Sequence, residues 1–260
     1  MDTVFSVEGI HKHKLICNVS YSRNQVKSNL GVLLLHGFGS NKNNKFNTSI
    51  VPILKEMGIA SCRFDFEGHG ESEGETINLT ISSAAEDTLA VYSYFLNNYL
   101  TADARCAVAA SSFGGSVALR VIKRLENIRA IFLRAPVSDY EEVRRNMYGE
   151  GGMEQWLRTG VIEVEGSKGQ IKSGSDFLKD VRKHNTYEEV RGLNIPTRVV
   201  HGTLDDNVPV SQSVKLTESI GSRATLRIVE GAGHGFSEPI FQSLLIDDCL
   251  QHFRENLIGG

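Results

Sequence analysis

A chain of 260 residues with a net charge of −3 fits one large α/β domain, because such folds reach about 250 residues around a single sheet. That total shows no excess of basic residues of the kind that nucleic acid or an anionic membrane requires, and no stretch approaches the ~20 apolar residues that span a bilayer. Cys17, Cys62, Cys106 and Cys249 stand far apart with no CxxC pair, so they read as reduced, structural thiols and not as disulfides or metal ligands. The opening Met1-Asp2-Thr3-Val4-Phe5 has neither the basic nor the apolar region of a secretory signal, and the expectation is a soluble, cytoplasmic protein.

Residues 3 to 21 read as two strands about a turn at Glu8-Gly9, with Leu15, Cys17 and Val19 alternating as in a half-buried sheet edge. Val32 to Leu35 is a continuous apolar run, the mark of a strand covered on both faces, and it opens into His36-Gly37-Phe38-Gly39-Ser40. Asn47 or Thr48 can cap a helix through Met57, Gly58 ends it, and Ile59 to Phe64 forms the next strand. A glycine-rich, charged loop follows from Asp65 to Gly74. Ser83-x-x-Glu86 reads as a capping box, behind which Ala85, Leu89, Tyr92, Leu96 and Tyr99 recur at helical spacing.

The apolar run Ala104 to Ala109 leads into Ala110-Ser111-Ser112-Phe113-Gly114-Gly115, and then a helix from Val117 to Leu125. Small residues two positions either side of a serine, between strand and helix, suit a sharp turn that leaves no room for large neighbours. Ala130 to Leu133 is a further short strand, closed by Ala135-Pro136. From there to Pro196 the pattern changes. Ser138 to Trp156 is charged and helical, Val161 to Lys172 alternates as a hairpin about Gly166-Ser167-Lys168-Gly169, and a helix runs from about Ser175 to Lys183. So long a crossover reads as an inserted lid, 137–195, over the site. Thr197 to His201 resumes the buried strands, residues 210 to 220 form a helix, and Ala224 to Val229 is the last strand. Ile246, Leu250, Phe253 and Leu257 line one face of the closing helix.

Alternating strands and helices build a parallel sheet, whose ligands bind beyond the carboxyl ends of the strands. Ser112, Asp205 and His234 each follow such a strand, as does His36-Gly37-Phe38. Their chain order is Ser, Asp, His, the order of the α/β-hydrolase triad.

The set His36-Gly37-Phe38-Gly39-Ser40, Phe64 to Ser72, Ser112-Phe113-Gly114-Gly115, His201-Gly202-Thr203-Leu204-Asp205 and Gly233-His234 resembles that of the α/β-hydrolases, and among them cinnamoyl (feruloyl) esterases. Monoglyceride lipases and serine aminopeptidase-like hydrolases are similar. The resemblance covers nearly the whole chain, including Phe177-Leu178-Lys179-Asp180 in the lid. It implies a mostly parallel central sheet of about eight strands, helices on both faces, and one domain over 1–260 with the lid inserted. Ser112 would then be the nucleophile, His234 its general base and later acid, and Asp205 the group that orients the imidazole. The backbone N–H groups of Phe38 and Phe113 would form the oxyanion hole.

Rival residues have blander roles. His36, His69 and His201 are expected to hold loops by hydrogen bonds, while Asp206 and Asp139 compete with Asp205 for the triad position. No cofactor or metal is implied, because no His/Cys/Asp cluster has ligand spacing and no phosphate-binding loop opens a helix. The expected partner is a small-molecule ester, with no nucleic acid and no stable membrane insertion. The expected activity is carboxylic ester hydrolysis. A monoacylglycerol lipase, thioesterase or peptidase on the same triad is an alternative, and so is a non-catalytic binder on the same fold. Asp139, Tyr140, Arg144, Arg145, Tyr148, Glu154, Gln155 and Arg158, with Trp156 as the one large aromatic, make the lid polar, which favours compact acyl groups such as hydroxycinnamoyl over long chains.

Overall fold

The computed structural model describes residues 1–22, 27–166 and 169–259. Strands β1 (Asp2–Glu8), β2 (Lys14–Ser20), β3 (Ser28–Leu35), β4 (Ala60–Phe64), β5 (Leu100–Ser111) and β6 (Ile128–Arg134) share one sheet with β9 (Thr197–Gly202) and β10 (Ala224–Val229). Its order is β1-β2-β4-β3-β5-β6-β9-β10. The first two strands pair antiparallel with each other and β2 pairs antiparallel with β4, whereas every later pairing is parallel. A mostly parallel sheet of eight strands with helices on both sides is the α/β-hydrolase fold.

Alternation along each strand divides the core in two. Leu33, Leu35, Val108 and Ala110 face α2 (Ile81–Tyr99) and α3 (Phe113–Val121). Val32, Leu34, Ala107, Ala109 and Phe132 face α1 (Lys45–Glu56) and α8 (Pro239–Phe253). Phe132 is fully buried and stacks on Phe46 at 6.2 Å between centroids, so its truncation to alanine would cost about 3–5 kcal/mol.

Two helix starts differ from those expected. Asn44, not Asn47 or Thr48, caps α1, accepting the Asn47 N–H, while the Asn47 amide turns inward to Lys42 O. For α2 the box is Thr80 with Ser83, because Ser83 is already the third helical residue and its hydroxyl returns to the Thr80 N–H. Glu86 instead meets Arg124 at the surface.

Between β6 and β9 lies a cap of α4 (Tyr140–Thr159), β7 (Val161–Gly166), β8 (Gly169–Gly174), α5 (Ser175–Val181) and α6 (Thr186–Glu189), after which α7 (Val210–Ile220) packs beside β9 and β10. The β7–β8 pair is the expected hairpin; Ser167 and Lys168 at its turn lie outside the described residues. Gly149, at φ 65°, kinks α4, and Gly160, at φ 80°, ends it. Asp180 fastens the cap to the body by accepting the N–H and hydroxyl of Ser82 at 2.9 and 2.8 Å.

Candidate active site

Ser112 stands between β5 and α3 at φ 49° and ψ −114°, a conformation that costs a non-glycine residue on the order of 1–3 kcal/mol and survives only where its surroundings fix it. Here they do. Its N–H donates to Arg134 O, and its carbonyl accepts from Gly115, Ser116 and Val137. Gly114 packs so tightly on β3 that a Cβ would lie 2.6 Å from His36 O, and one on Gly115 would lie 2.7 Å from Pro136 Cβ. Ala110 is still in regular strand, paired with Leu35 and Leu133, so its methyl group meets no turn constraint.

His234 follows β10, in a loop tied down by Arg134 Nη1, which donates to Gly235 O, and by Gln242 Nε2, which donates to Phe236 O. Its Nδ1 is 2.7 Å from Asp205 Oδ2. A carboxylate can only accept, so Nδ1 carries the proton and Nε2 is left as the basic nitrogen. The Asp205 side chain is fully buried and also receives the Asn207 and Val208 N–H groups on Oδ1. His201 Nε2 lies 3.0 Å from both Asp205 Oδ2 and Val208 O, and therefore donates, while Ser213 supplies its hydroxyl proton to His201 Nδ1. Burial alone would push the Asp205 carboxyl up, but the bonds from His201, His234 and Val208 together outweigh it and hold it well below the usual carboxylate range. Asp206 instead receives the Asn207 side-chain amide, and Asp139 caps α4 by accepting the Glu142 N–H; neither is brought to His234.

The loop after β3 is fixed at both sides of Phe38. His36 Nδ1 donates to Gly37 O at 2.8 Å, and the Gly39 N–H donates to His69 Nε2 at 3.0 Å. The other nitrogens of these rings meet the Phe66 N–H and Glu67 O. Burial first, and the neighbouring His69 second, push His36 down to about 3; burial likewise lowers His69. Both rings stay neutral and keep these tautomers. Lys42, itself buried, anchors the loop's far end through Asp65 at 2.6 Å and through Glu71. Among the described residues the Phe38 N–H has no hydrogen-bond acceptor, and the Phe113 N–H, first in α3, has no helical one.

Ser112, His234 and Phe38 line one cavity of about 510 Å³, closed from the cap side by Tyr140, Arg144, Tyr148, Glu163 and Glu165. Trp156 is not among them. It is fully buried inside the cap, donating Nε1–H to Ser173 O and stacking on Phe177, so the aromatic residues that line the cleft are Phe38, Tyr140 and Tyr148 instead. His201, expected to hold its loop by hydrogen bonds, does so through Val208 O and also donates to Asp205; its spacing of four from Asp205, across the end of β9, was the available signal for the second bond. Among the described residues no group of His, Cys, Asp and Glu is arranged to hold a metal, and no helix is long and apolar enough to cross a membrane.

Comparison with known proteins agrees with this architecture. The human palmitoyl-protein thioesterase ABHD10, mitochondrial, is 27% identical over 218 residues, covering 78% of this chain; the aligned part spans 65% of that relative's length. The solved structure of mouse alpha/beta hydrolase domain-containing protein 10 superposes with a TM-score of 0.77 at 20% identity, covering 96% of this chain and 98% of that one. Est1E from Butyrivibrio proteoclasticus with bound ferulic acid gives a TM-score of 0.77 at 20% identity, covering 96% and 99%. At such identities the structural likeness is one of fold. The model of the prolyl oligopeptidase family (Peptidase_S9) matches residues 45–259, and the chain belongs to that family of α/β-hydrolases.

Proposed function

We propose that the protein is a serine hydrolase that cleaves carboxylic esters through an acyl-enzyme on Ser112. The observation that carries this is the 2.7 Å bond from His234 Nδ1–H to the buried Asp205, which leaves a basic Nε2 in the same cavity as a strained serine. His234 Nε2 takes the Ser112 hydroxyl proton as Oγ bonds to the substrate carbonyl carbon. The oxyanion that forms is received by the Phe38 and Phe113 N–H groups, which need not reorganise to meet it. The imidazolium gives its proton to the departing alkoxide, and Asp205, ionised throughout, stabilises the positive ring. Water then repeats the sequence on the acyl-enzyme and frees the acid and Ser112.

The cleft favours a compact acyl group with a polar end, hydroxycinnamoyl among them. Phe38 and Tyr140 offer ring faces while Arg144, Tyr148, Glu163 and Glu165 offer polar groups, and a long alkyl chain would leave the buried Arg144 unpaired. A second reading, thioester cleavage, draws on the relative named as a palmitoyl-protein thioesterase, since the same triad serves a thiolate leaving group. Stopped-flow kinetics with a chromogenic short-chain ester should give a stoichiometric burst, and a fluorophosphonate should label Ser112. A protein that neither bursts nor labels would be a binder on this fold. Methyl ferulate turned over faster than palmitoyl-coenzyme A supports the ester reading, and the reverse order the thioester.

A further inference from the structure

Arg144, on α4, is 4% exposed and lines the cavity that holds Ser112 and His234. A guanidinium keeps its proton in any protein environment, so this is a permanent charge removed from water. Two other buried charges are matched by ion pairs. Lys42 meets Asp65 and Glu71, and Asp248 meets Arg198 and Arg227. Arg144 has no carboxylate within 4.0 Å among the described residues. Its Nε is buried without a hydrogen-bond partner, and its Nη1 reaches only the weakly accepting Met147 sulfur at 3.7 Å. What holds it is aromatic: its central carbon lies 5.5 Å from the Phe38 centroid, 5.6 Å from Tyr140 and 5.9 Å from Phe177. Ring faces attract the cation but leave the in-plane N–H donors free.

We propose that Arg144 is the recognition residue for a carboxylate carried by the substrate, so that the enzyme prefers esters whose acyl part ends in an anionic group. The inference rests on the ester hydrolase reading above. Three features select a carboxylate of the acyl part. The guanidinium fork pairs with a planar carboxylate through two parallel N–H···O bonds. Its central carbon lies 5.5 Å from the ring of Phe38, whose own N–H is the oxyanion donor in the proposed mechanism, and so near the carbonyl end of the acyl group; the leaving-group pair in the test below separates the two sides. Glu163 and Glu165 line the same cavity, and their like charge disfavours a doubly charged phosphate while one guanidinium balances one carboxylate.

The test compares kcat/KM for methyl 4-carboxycinnamate with that for methyl 4-methylcinnamate, which carries a smaller, neutral group at the same position. Wild type should favour the anion at least 100-fold, about 2.7 kcal/mol by the thermal constant. The ratio should fall to near one or below in Arg144→Gln and recover in part in Arg144→Lys, a point charge without the fork. A second pair, 4-carboxyphenyl butyrate against 4-methylphenyl butyrate, carries the charge on the leaving group and should show no such preference. A wild-type acyl-side ratio near one, a ratio unchanged in Arg144→Gln, or a preference confined to the leaving-group pair would overturn the proposal. The wild-type ratio decides by itself if the variants do not fold. Hydrolysis of both cinnamates without preference sinks only this inference, whereas no hydrolysis of any ester and no fluorophosphonate adduct on Ser112 sinks the reading beneath it.

Discussion

Tautomer is set residue by residue around the cleft, in each case by a neighbour that can only give or only take a proton. His234 and His201 both donate to Asp205, and His36 and His69 both accept a backbone N–H. The carboxylate of Asp205 therefore serves two rings, and its neutral replacement should disturb both. Asp205→Asn is expected to keep the fold and lower kcat by about 10⁴, the loss seen where such a change misorients the imidazole; Asp206→Asn and Asp139→Asn should stay within a few-fold. A large loss in either of those with Asp205→Asn active would reassign the acid. On the proposed mechanism His201 acts through Asp205, as a positioning residue. His201→Leu removes one donor and should reduce kcat about tenfold or more with little change in KM, while His201→Gln, which keeps an N–H, recovers part of it. Because Asp205 stays ionised far below neutrality, it should not contribute to the acid limb of kcat/KM, which on the proposed mechanism falls with a single group. A limb with a slope of two would mean that the carboxylate titrates there as well.

At the scale of elements, the same local chemistry explains what the sequence disclosed and what it withheld. Continuous apolar runs at Val32 to Leu35 and Ala130 to Leu133 read directly as covered strands, since burial on both faces demands them, and small residues around Ser112 marked the sharp turn. Helix starts were less legible. Asn44 and Thr80 cap their helices by a choice among neighbouring polar residues that only the incoming backbone direction decides. Arg144 and Trp156 stand in one helical stretch of the cap, kinked between them at Gly149, yet Arg144 lines the cleft and Trp156 is buried inside the cap. Where the cap hairpin touches the body was not legible. Gly39, at φ 70°, is such a place: a Cβ there would lie 2.8 Å from Gly166 Cα, so the cap hairpin rests on the loop that presents the Phe38 N–H. Gly39→Ala is expected to lower kcat by at least tenfold by shifting that loop. Gly58→Ala shares a positive φ of 75° but meets nothing within 4 Å, and should lose only about 1 kcal/mol of stability with activity intact. Equal effects on activity in the two variants would remove the hairpin contact from the explanation.

For the whole molecule, one buried charge that bears on stability lies far from the cleft. Asp87, on α2, is 1% exposed and accepts the Ile10 N–H at 2.8 Å beneath the β1–β2 turn. Burial above all, and the like charge of Glu67 in lesser part, raise its carboxyl to about 6 against the lowering effects of the Ile10 N–H, His11 and His13. The sign follows from proton counting. Between about pH 4 and pH 6 the folded state holds a proton on Asp87 that the unfolded chain has released, so stability falls as pH rises through this window. Below it both states are protonated and the difference vanishes; above it the full cost remains, on the order of 2–3 kcal/mol. Asp205 runs the other way, because its depressed value contributes stability that is lost only when pH falls below the usual carboxylate range. Comparing wild type with a single variant separates the two. Asp87→Asn keeps an acceptor for Ile10 and never ionises, so its stability advantage in urea titrations should be near zero at pH 4, grow steadily to pH 6 and level off, with Tm at pH 7 raised by roughly 4–10 °C. A constant difference across that range would show that the asparagine changes packing and not charge, and a variant less stable at pH 7 would show that the ionised carboxylate is matched by His11 and His13 across the turn.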